Sequence, residues 1–182
     1  MNTIKFIAIH NYGGLANDPY AKTQDLTIQH IDNAHRQRWP EMKSSLGYWI
    51  GYNCIIKKDG TWMQAREIGT DTAAQRGFNS NTFSICLAGN FLAEKPTEAQ
   101  LKTLKTILKA ATSPDVFPQL YKLGIKIKDG TQLKMSMFRI YGHKAFQNYT
   151  QCPVLTDDYF RNLLFDEYSQ PTKNILKFIQ SF

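Results

Sequence analysis

Cysteine is scarce. The chain has three in 182 residues, an odd number that leaves at least one thiol unpaired within the chain and argues against the disulfide framework of small secreted domains. Metal binding or plain burial is the better use for such thiols. Long apolar runs are missing too, and no stretch approaches the ~20 residues that a membrane span needs. The opening residues MNTIKFIAIH alternate apolar and polar side chains, without the charged head, apolar stretch and small-residue cleavage site of a secretory leader. Synthesis in the cytoplasm without a signal peptide is therefore expected. Internal repeats and low-complexity linkers are absent, which leaves a single domain over 1–182 as the starting expectation.

Acidic side chains are outnumbered, 15 against 22 basic ones, for a formal charge of +7. Such a balance favours anionic partners in general, whether nucleic acid, cell-envelope polymer or membrane surface. The basic residues are spread along the chain, and the nearest thing to a block, Lys122 to Lys134, reads as a solvated face. No nucleic-acid motif accompanies them, so nucleic acid is not expected as a partner.

What is present suffices for one compact core, with 42% apolar and 13% aromatic residues. Ile4–Ile9 is short, apolar and branched, the signature of a buried strand, and delivers His10 at its end. Ile28, Ile31, Ala34 and His35 share one helical face between Thr27 and Arg38, and Pro40 stops that helix. Tyr48–Ile56 and Thr61–Ala65 read as two strands around an Asp59-Gly60 hairpin turn. A polar loop over Ala73–Asn81 precedes a central strand in FSICLAGNF. Lys95–Ala111 predicts an amphipathic helix entered at Pro96-Thr97. Residues 113–138, with two prolines and an Asp129-Gly130 turn, read as an elaborated loop or small hairpin. A strand over Arg139–Tyr141, a helix over Asp157–Tyr168 and a final helix over Thr172–Phe182 complete the pattern. The order implies an α/β domain with a single mixed central β-sheet flanked by helices.

Two histidines and a cysteine stand near strand ends: His10, His143 and Cys152. Catalytic zinc takes three such ligands, imidazole and thiolate, and keeps a fourth position for water. The nine-residue step from His143 to Cys152 lacks the short spacing of a zinc finger, so spacing alone leaves open an ordinary surface histidine and a buried thiol.

The blocks IAIHNYGG, SLGYWIGYNCIIKKDGTWMQAR, RGFNSNTFSICLAGNF and YGHKAFQNYTQCP, in this order, resemble those of the zinc-dependent type 2 N-acetylmuramoyl-L-alanine amidases. That family includes phage endolysins, and the peptidoglycan recognition proteins share its fold. The resemblance covers about residues 4–165, with Val116–Met137 as an insertion. It implies one Zn2+ per chain on His10, His143 and Cys152, with Pro153 stiffening the chain beyond the thiolate. It also implies catalytic roles for Tyr52, of the Gly-Tyr-Asn element, and for Thr150, whose position holds lysine in some phage relatives. A hydroxyl there can hydrogen-bond an oxyanion but adds no positive charge. His35, Trp39 and Asn79 match positions that line the substrate groove, although a helix-end histidine, a packed tryptophan and a turn-forming asparagine are the plainer readings.

Two departures from the family pattern stand out. The His143–Cys152 step is one residue longer than in the phage and recognition-protein forms, and a non-ligand histidine common in the family is missing, Ala74 and Gln75 standing in its place. His30 reads as a surface residue, and Cys54 and Cys86 as buried thiols. The resemblance implies hydrolysis of the amide bond between the muramic acid lactyl group and L-alanine. Peptidoglycan or a muropeptide would be the substrate, a monomer the working form, and the cell wall the place of action after release from the cytoplasm. A peptidoglycan-binding module without turnover is the alternative, and the cysteine ligand, commonly lost in recognition-only relatives, argues against it.

Overall fold

The computed structural model describes residues 2–13 and 27–165. At its centre β2 (Phe6–Tyr12) and β5 (Thr82–Ala88) run parallel, from Phe6 opposite Thr82 to Tyr12 opposite Ala88. β7 (Ile140–Gly142) adds to the free edge of β2, and β3 (Cys54–Ile56) to that of β5, both parallel. β4 (Trp62–Gln64) returns antiparallel along β3 and completes the order β4-β3-β5-β2-β7. The Asp59-Gly60 turn joins β3 to β4 as expected, with Gly60 at φ +83°, a conformation that glycine adopts without a Cβ penalty. Beside this mixed sheet lies a small parallel pair, β1 (Thr3–Ile4) with β6 (Gln132–Leu133).

Strand alternation sorts the side chains between two faces. Ile7, Ile9, Cys54, Ile56, Phe83, Ile85 and Leu87 join one apolar cluster with Leu104 and Leu108 of α2 (Glu98–Ala111) and Phe160 of α4 (Asp157–Asn162). The opposite face is thinner and more polar. There Ile55 and Cys86 meet Ile31 of α1 (Ile28–Arg38), Ile50 and Tyr52. Because a central parallel strand is covered on both sides, all of β5 is buried.

The helix starts follow the sequence. Thr27 caps α1, its Oγ1 accepting the His30 N–H at 3.3 Å while His30 Nδ1 accepts the Thr27 N–H at 3.2 Å. His30 is exposed, as expected, and closes this capping box. Thr97 and Gln100 make the same reciprocal pair at the start of α2.

Four expectations need correction. The first strand does not end at Ile9: β2 continues through His10 to Tyr12, because Asn11 and Tyr12 keep their register with Leu87 and Ala88. The strand expected over Tyr48–Ile56 is confined to Cys54–Ile56. Upstream, α1 side chains take the backbone donors that a neighbouring strand would otherwise accept: Trp49 N–H goes to Asp32 Oδ1 at 2.7 Å and Gly51 N–H to His35 Nδ1 at 2.9 Å. Residues 113–138 are neither loop nor hairpin. They form α3 (Val116–Lys122), whose Leu120 is fully buried, and then the β6 partner of β1. Pro118 sits in the first turn of α3, where a backbone N–H has no intrahelical acceptor, so its lack of one costs nothing. The helix expected over Asp157–Tyr168 is regular only to Asn162. Residues 166–168 and the final helix expected over 172–182 lie outside the described residues.

Where the regular ladder stops, Asn53 extends it with its side chain. Its Oδ1 accepts the Ser84 N–H at 2.8 Å, its Nδ2 donates to the Glu67 carbonyl at 3.0 Å, and its own N–H donates to the Ser84 carbonyl at 3.0 Å. Asn53 is fully buried. Replacing it by leucine keeps the bulk but strands the Ser84 N–H, while the Glu67 carbonyl still accepts from the Thr70 hydroxyl at 2.7 Å, so Asn53→Leu is expected to cost about 1–3 kcal/mol for the one group left unpaired. Urea unfolding checks this, and a midpoint equal to that of the wild type would show that the stitch carries no stability.

Candidate metal centre and groove

His10 lies on the α1 face of β2, opposite Cys86 of β5. His143 follows β7 directly, and Cys152 returns to the same point after a nine-residue excursion. One donor atom from each of the three lies within 4.8 Å of the others. The rings of His10 and His143 are 4.6 Å apart between centroids. The sequence-predicted trio is thus brought together.

Local packing explains the return. Pro153, joined to Cys152 by a cis peptide bond, rests against β7, with its Cδ 2.7 Å from where a Cβ on Gly142 would stand. Only glycine admits that approach. Asp157 at the start of α4 holds the Gly142 N–H at 2.7 Å, and the Lys144 N–H donates to the Cys152 carbonyl at 2.8 Å. Asn11 N–H donates to Cys152 Sγ at 3.3 Å, an interaction that favours the thiolate.

The protonation states suit a cation. Burial lowers His10 well below the ordinary histidine value, the neighbouring His143 adds to the shift, and a hydrogen bond with Gln75 opposes it. Burial likewise lowers His143, against a hydrogen bond with Gln147. Both rings are therefore neutral at pH 7, as metal ligands must be. Burial pushes the Cys152 thiol up to about 11, while the Asn11 N–H pulls it down. Two neutral imidazoles and a thiol that must give up its proton form a donor set that fits zinc, which takes nitrogen and thiolate sulfur in a tetrahedral shell.

A groove of about 580 Å³ opens beside this cluster, lined on one wall by His35, Arg38 and Trp39 and on another by Thr72, Arg76 and Asn79, with Tyr52 and His143 between. All three positions expected to meet substrate, His35, Trp39 and Asn79, line it. Two of them also have structural duties. His35 Nδ1 accepts the Gly51 N–H. Asn79 Oδ1 accepts from the N–H groups of Ala74 and Gln75 at 3.1 and 2.9 Å, tying off the 72–79 turn. Tyr52 packs on both His10 and His35, with centroids 5.0 and 5.5 Å away. Burial first, then the Cys86 and Cys152 sulfurs, raise its phenol well above the usual value, so it remains a proton-bearing donor. Thr150 is not among the groove-lining residues; its Oγ1 accepts the Cys152 N–H at 3.1 Å and so helps to present the thiol. None of the lining residues comes from 113–138. Cys54 and Cys86 are buried and free, as expected.

Sequence reasoning missed Gln75, which is fully buried and lies 3.1 Å from His10, and the two groove arginines. The only trace of Gln75 in the sequence was that it stood where relatives have histidine.

His35 provides a pH test. Burial first, then Arg38 and Arg66, hold its pKa down at about 4. An unfolded histidine near 6.5 takes its proton earlier, so this contribution to stability is complete above about pH 6.5 and is lost as pH falls toward 4. Between pH 7 and 4.5 the wild type should lose about 2 kcal/mol more stability than His35→Gln, which keeps an acceptor for Gly51. Parallel pH profiles of the two proteins in chemical denaturation would contradict this account of His35.

Comparison with known proteins agrees with this geometry. A family model for N-acetylmuramoyl-L-alanine amidase (Amidase_2) matches residues 1–154. Peptidoglycan-recognition protein SC2 of Drosophila melanogaster is 26% identical over 153 residues, covering 84% of this chain and 69% of that protein. An endolysin of Klebsiella phage KP32 is 27% identical over 92 residues, 47% of this chain and 56% of the endolysin. The chain spans only 11% of a mouse N-acetylmuramoyl-L-alanine amidase, to which it is 36% identical over 59 residues. Among solved structures, N-acetylmuramoyl-L-alanine amidase LysC from Clostridium intestinale superposes with a TM-score of 0.54 at 24% identity, over 82% of this chain and 76% of that one, a likeness of fold. With its sheet order, its converging histidines and cysteine, and a family match over most of its length, the chain belongs to the N-acetylmuramoyl-L-alanine amidase family.

Proposed function

We propose that this protein is a zinc-dependent N-acetylmuramoyl-L-alanine amidase that cleaves the amide bond between the lactyl group of N-acetylmuramic acid and L-alanine. We further propose that it serves as a phage or prophage lysis enzyme, made in the cytoplasm and acting on the wall after release. The observation that carries the reading is the convergence of His10, His143 and Cys152 beside a groove of about 580 Å³ that His143 lines. The relatives named as endolysin and as peptidoglycan-recognition protein support the wall polymer as the substrate class.

His10, His143 and Cys152 would hold the ion. Zinc bound there supplies a Lewis acid for the scissile carbonyl and an acidified water as nucleophile. The chain supplies the rest. Tyr52, kept protonated by its surroundings, can donate a hydrogen bond to the oxyanion that develops on the former carbonyl oxygen. Thr150 contributes through the loop that presents Cys152. Arg38 and Arg76 line the groove with no carboxylate among its described lining residues, which suits the carboxylates of a stem peptide. The Arg38 guanidinium lies over the Trp39 ring at 4.7 Å, so it is already oriented. The net charge of +7 would aid adsorption to anionic wall polymers, an effect weakened by salt.

Metal content measured with amine release from peptidoglycan tests the reading. The wild type should carry about one zinc per chain and lose turnover on chelation, while Cys152→Ser loses both metal and hydrolysis yet still sediments with intact sacculi. A wild type that takes up no zinc even when supplied with it would sink the mechanism and leave a recognition surface in its place. Tyr52→Phe should retain zinc and lose roughly 10²–10³ in kcat, the typical effect of removing one oxyanion donor. An unchanged kcat would assign Tyr52 to packing alone. Sacculi and small muropeptides compared as substrates separate lysis from wall recycling, since a recycling enzyme should ignore the polymer.

A further inference from the structure

Each histidine of the cluster has a glutamine against one of its ring nitrogens. His10 Nε2 meets Gln75 Oε1 at 3.1 Å, and His143 Nε2 meets Gln147 Oε1 at 3.4 Å. Whether such a contact fixes a tautomer depends on which end of each amide faces the ring, and their remaining partners decide that.

For Gln75 the deciding partner is Thr72. The Thr72 hydroxyl spends its proton on Asn79, with Oδ1 at 3.2 Å and the carbonyl at 3.3 Å. It can therefore only accept from Gln75, which places the amide nitrogen on Thr72 at 3.2 Å, with Ser84 Oγ at 2.7 Å as a second partner. The amide oxygen therefore faces His10, its other lone pair lying 3.0 Å from the Ser84 hydroxyl. For Gln147 the deciding partner is a backbone carbonyl, that of Arg76, which accepts from Nε2 at 3.0 Å. Its oxygen is left for His143 and also takes the Tyr149 hydroxyl proton. In both cases the imidazole must bring the proton on Nε2, and the lone pair remains on Nδ1.

We propose that Gln75 and Gln147 are positioning residues that hold His10 and His143 in the Nε2–H tautomer, so that both rings offer Nδ1 to the metal. Its metal-binding consequence rests on the zinc reading above, whereas the tautomers are a property of the metal-free chain. Gln147 also ties the His143–Cys152 loop to the 72–79 turn through the Arg76 carbonyl at 3.0 Å. Since Gln75 and the acceptor of Gln147 both belong to that turn, Asn79 organises both partners through Thr72, Ala74 and Gln75.

The test is long-range ¹H–¹⁵N correlation of the imidazoles in the metal-free protein, with zinc affinity from competition against a chelator. The wild type should show Nε2–H for both rings. Gln75→Met and Gln147→Met should each bring in the other tautomer at the affected ring and weaken zinc binding roughly 10–100-fold. Gln75→Glu, which keeps an acceptor oxygen, should restore both. Gln147 is only partly buried, so its variant decides the matter should Gln75→Met fail to fold. An Nδ1–H ring in a wild type that binds zinc overturns this proposal and spares the functional reading. Two Nε2–H rings in a wild type that takes up no zinc overturn that reading and, with it, the metal-positioning role. A folded Gln147→Met with unchanged tautomer and affinity overturns the role of Gln147.

Discussion

Pairing of β2 with β5 in one parallel register, with His10 opposite Cys86 and Ala8 opposite Ser84, decides which side of the sheet is chemical and which is structural. A slip of one residue would turn His10 into the apolar cluster beneath α2 and bring Ile9 into the groove. The register is secured on the apolar side, where Ile7, Ile9, Phe83, Ile85 and Leu87 are fully buried together, each worth ~1.5–3 kcal/mol of transfer free energy. The polar face has no comparable source of order and depends on hydrogen bonds. Among the described residues, no buried side-chain nitrogen or oxygen is left without a partner.

That polar face is assembled by side chains reaching for backbone groups that regular structure leaves open. Asp32 and His35 of α1 take donors from Trp49 and Gly51, and Asn53 completes the ladder toward Ser84. Arg66, almost wholly buried, donates to the carbonyls of Ile50, Met42 and Asp71. Together they fix the 42–53 segment without a strand, and this segment carries Tyr52 to the ring of His10. A strand there would put alternate residues through the sheet and leave fewer side chains facing the groove.

Much of this was legible in the sequence, and the limits follow the range of the forces involved. Local signals proved sound: Thr27 and Thr97 cap helices, Asp59-Gly60 turns a hairpin, and the Lys95–Ala111 periodicity becomes α2. His10, His143 and Cys152 stood out by residue type and by their places near strand ends, but it was the resemblance to the amidase blocks that made them a ligand set, since spacing alone left an ordinary histidine and a buried thiol open. Residues 113–138 misled because two prolines normally argue for loop, whereas Pro118 falls in the one helical turn that tolerates it. Tyr48–Asn53 misled because its partners are helix side chains distant in sequence. Gln75 and Gln147 carry no local pattern at all; a buried amide acquires its meaning only from what stands at each of its two ends.

The same amides explain how the site tolerates being polar and buried. Two imidazoles and a thiol away from water would ordinarily be costly. Here each ring hands one nitrogen to a glutamine, and Cys152 Sγ receives the Asn11 N–H and faces the Asn11 carbonyl at 3.7 Å, which leaves for a ligand the faces turned toward one another. Those faces hold two lone pairs and a thiol that burial keeps protonated up to about pH 11. A divalent cation held by these residues would satisfy all three at once, with both nitrogens and the deprotonated sulfur as its donors. Affinity should therefore rise with pH as that proton becomes easier to remove, through a site whose outer hydrogen bonds are already made before the metal arrives.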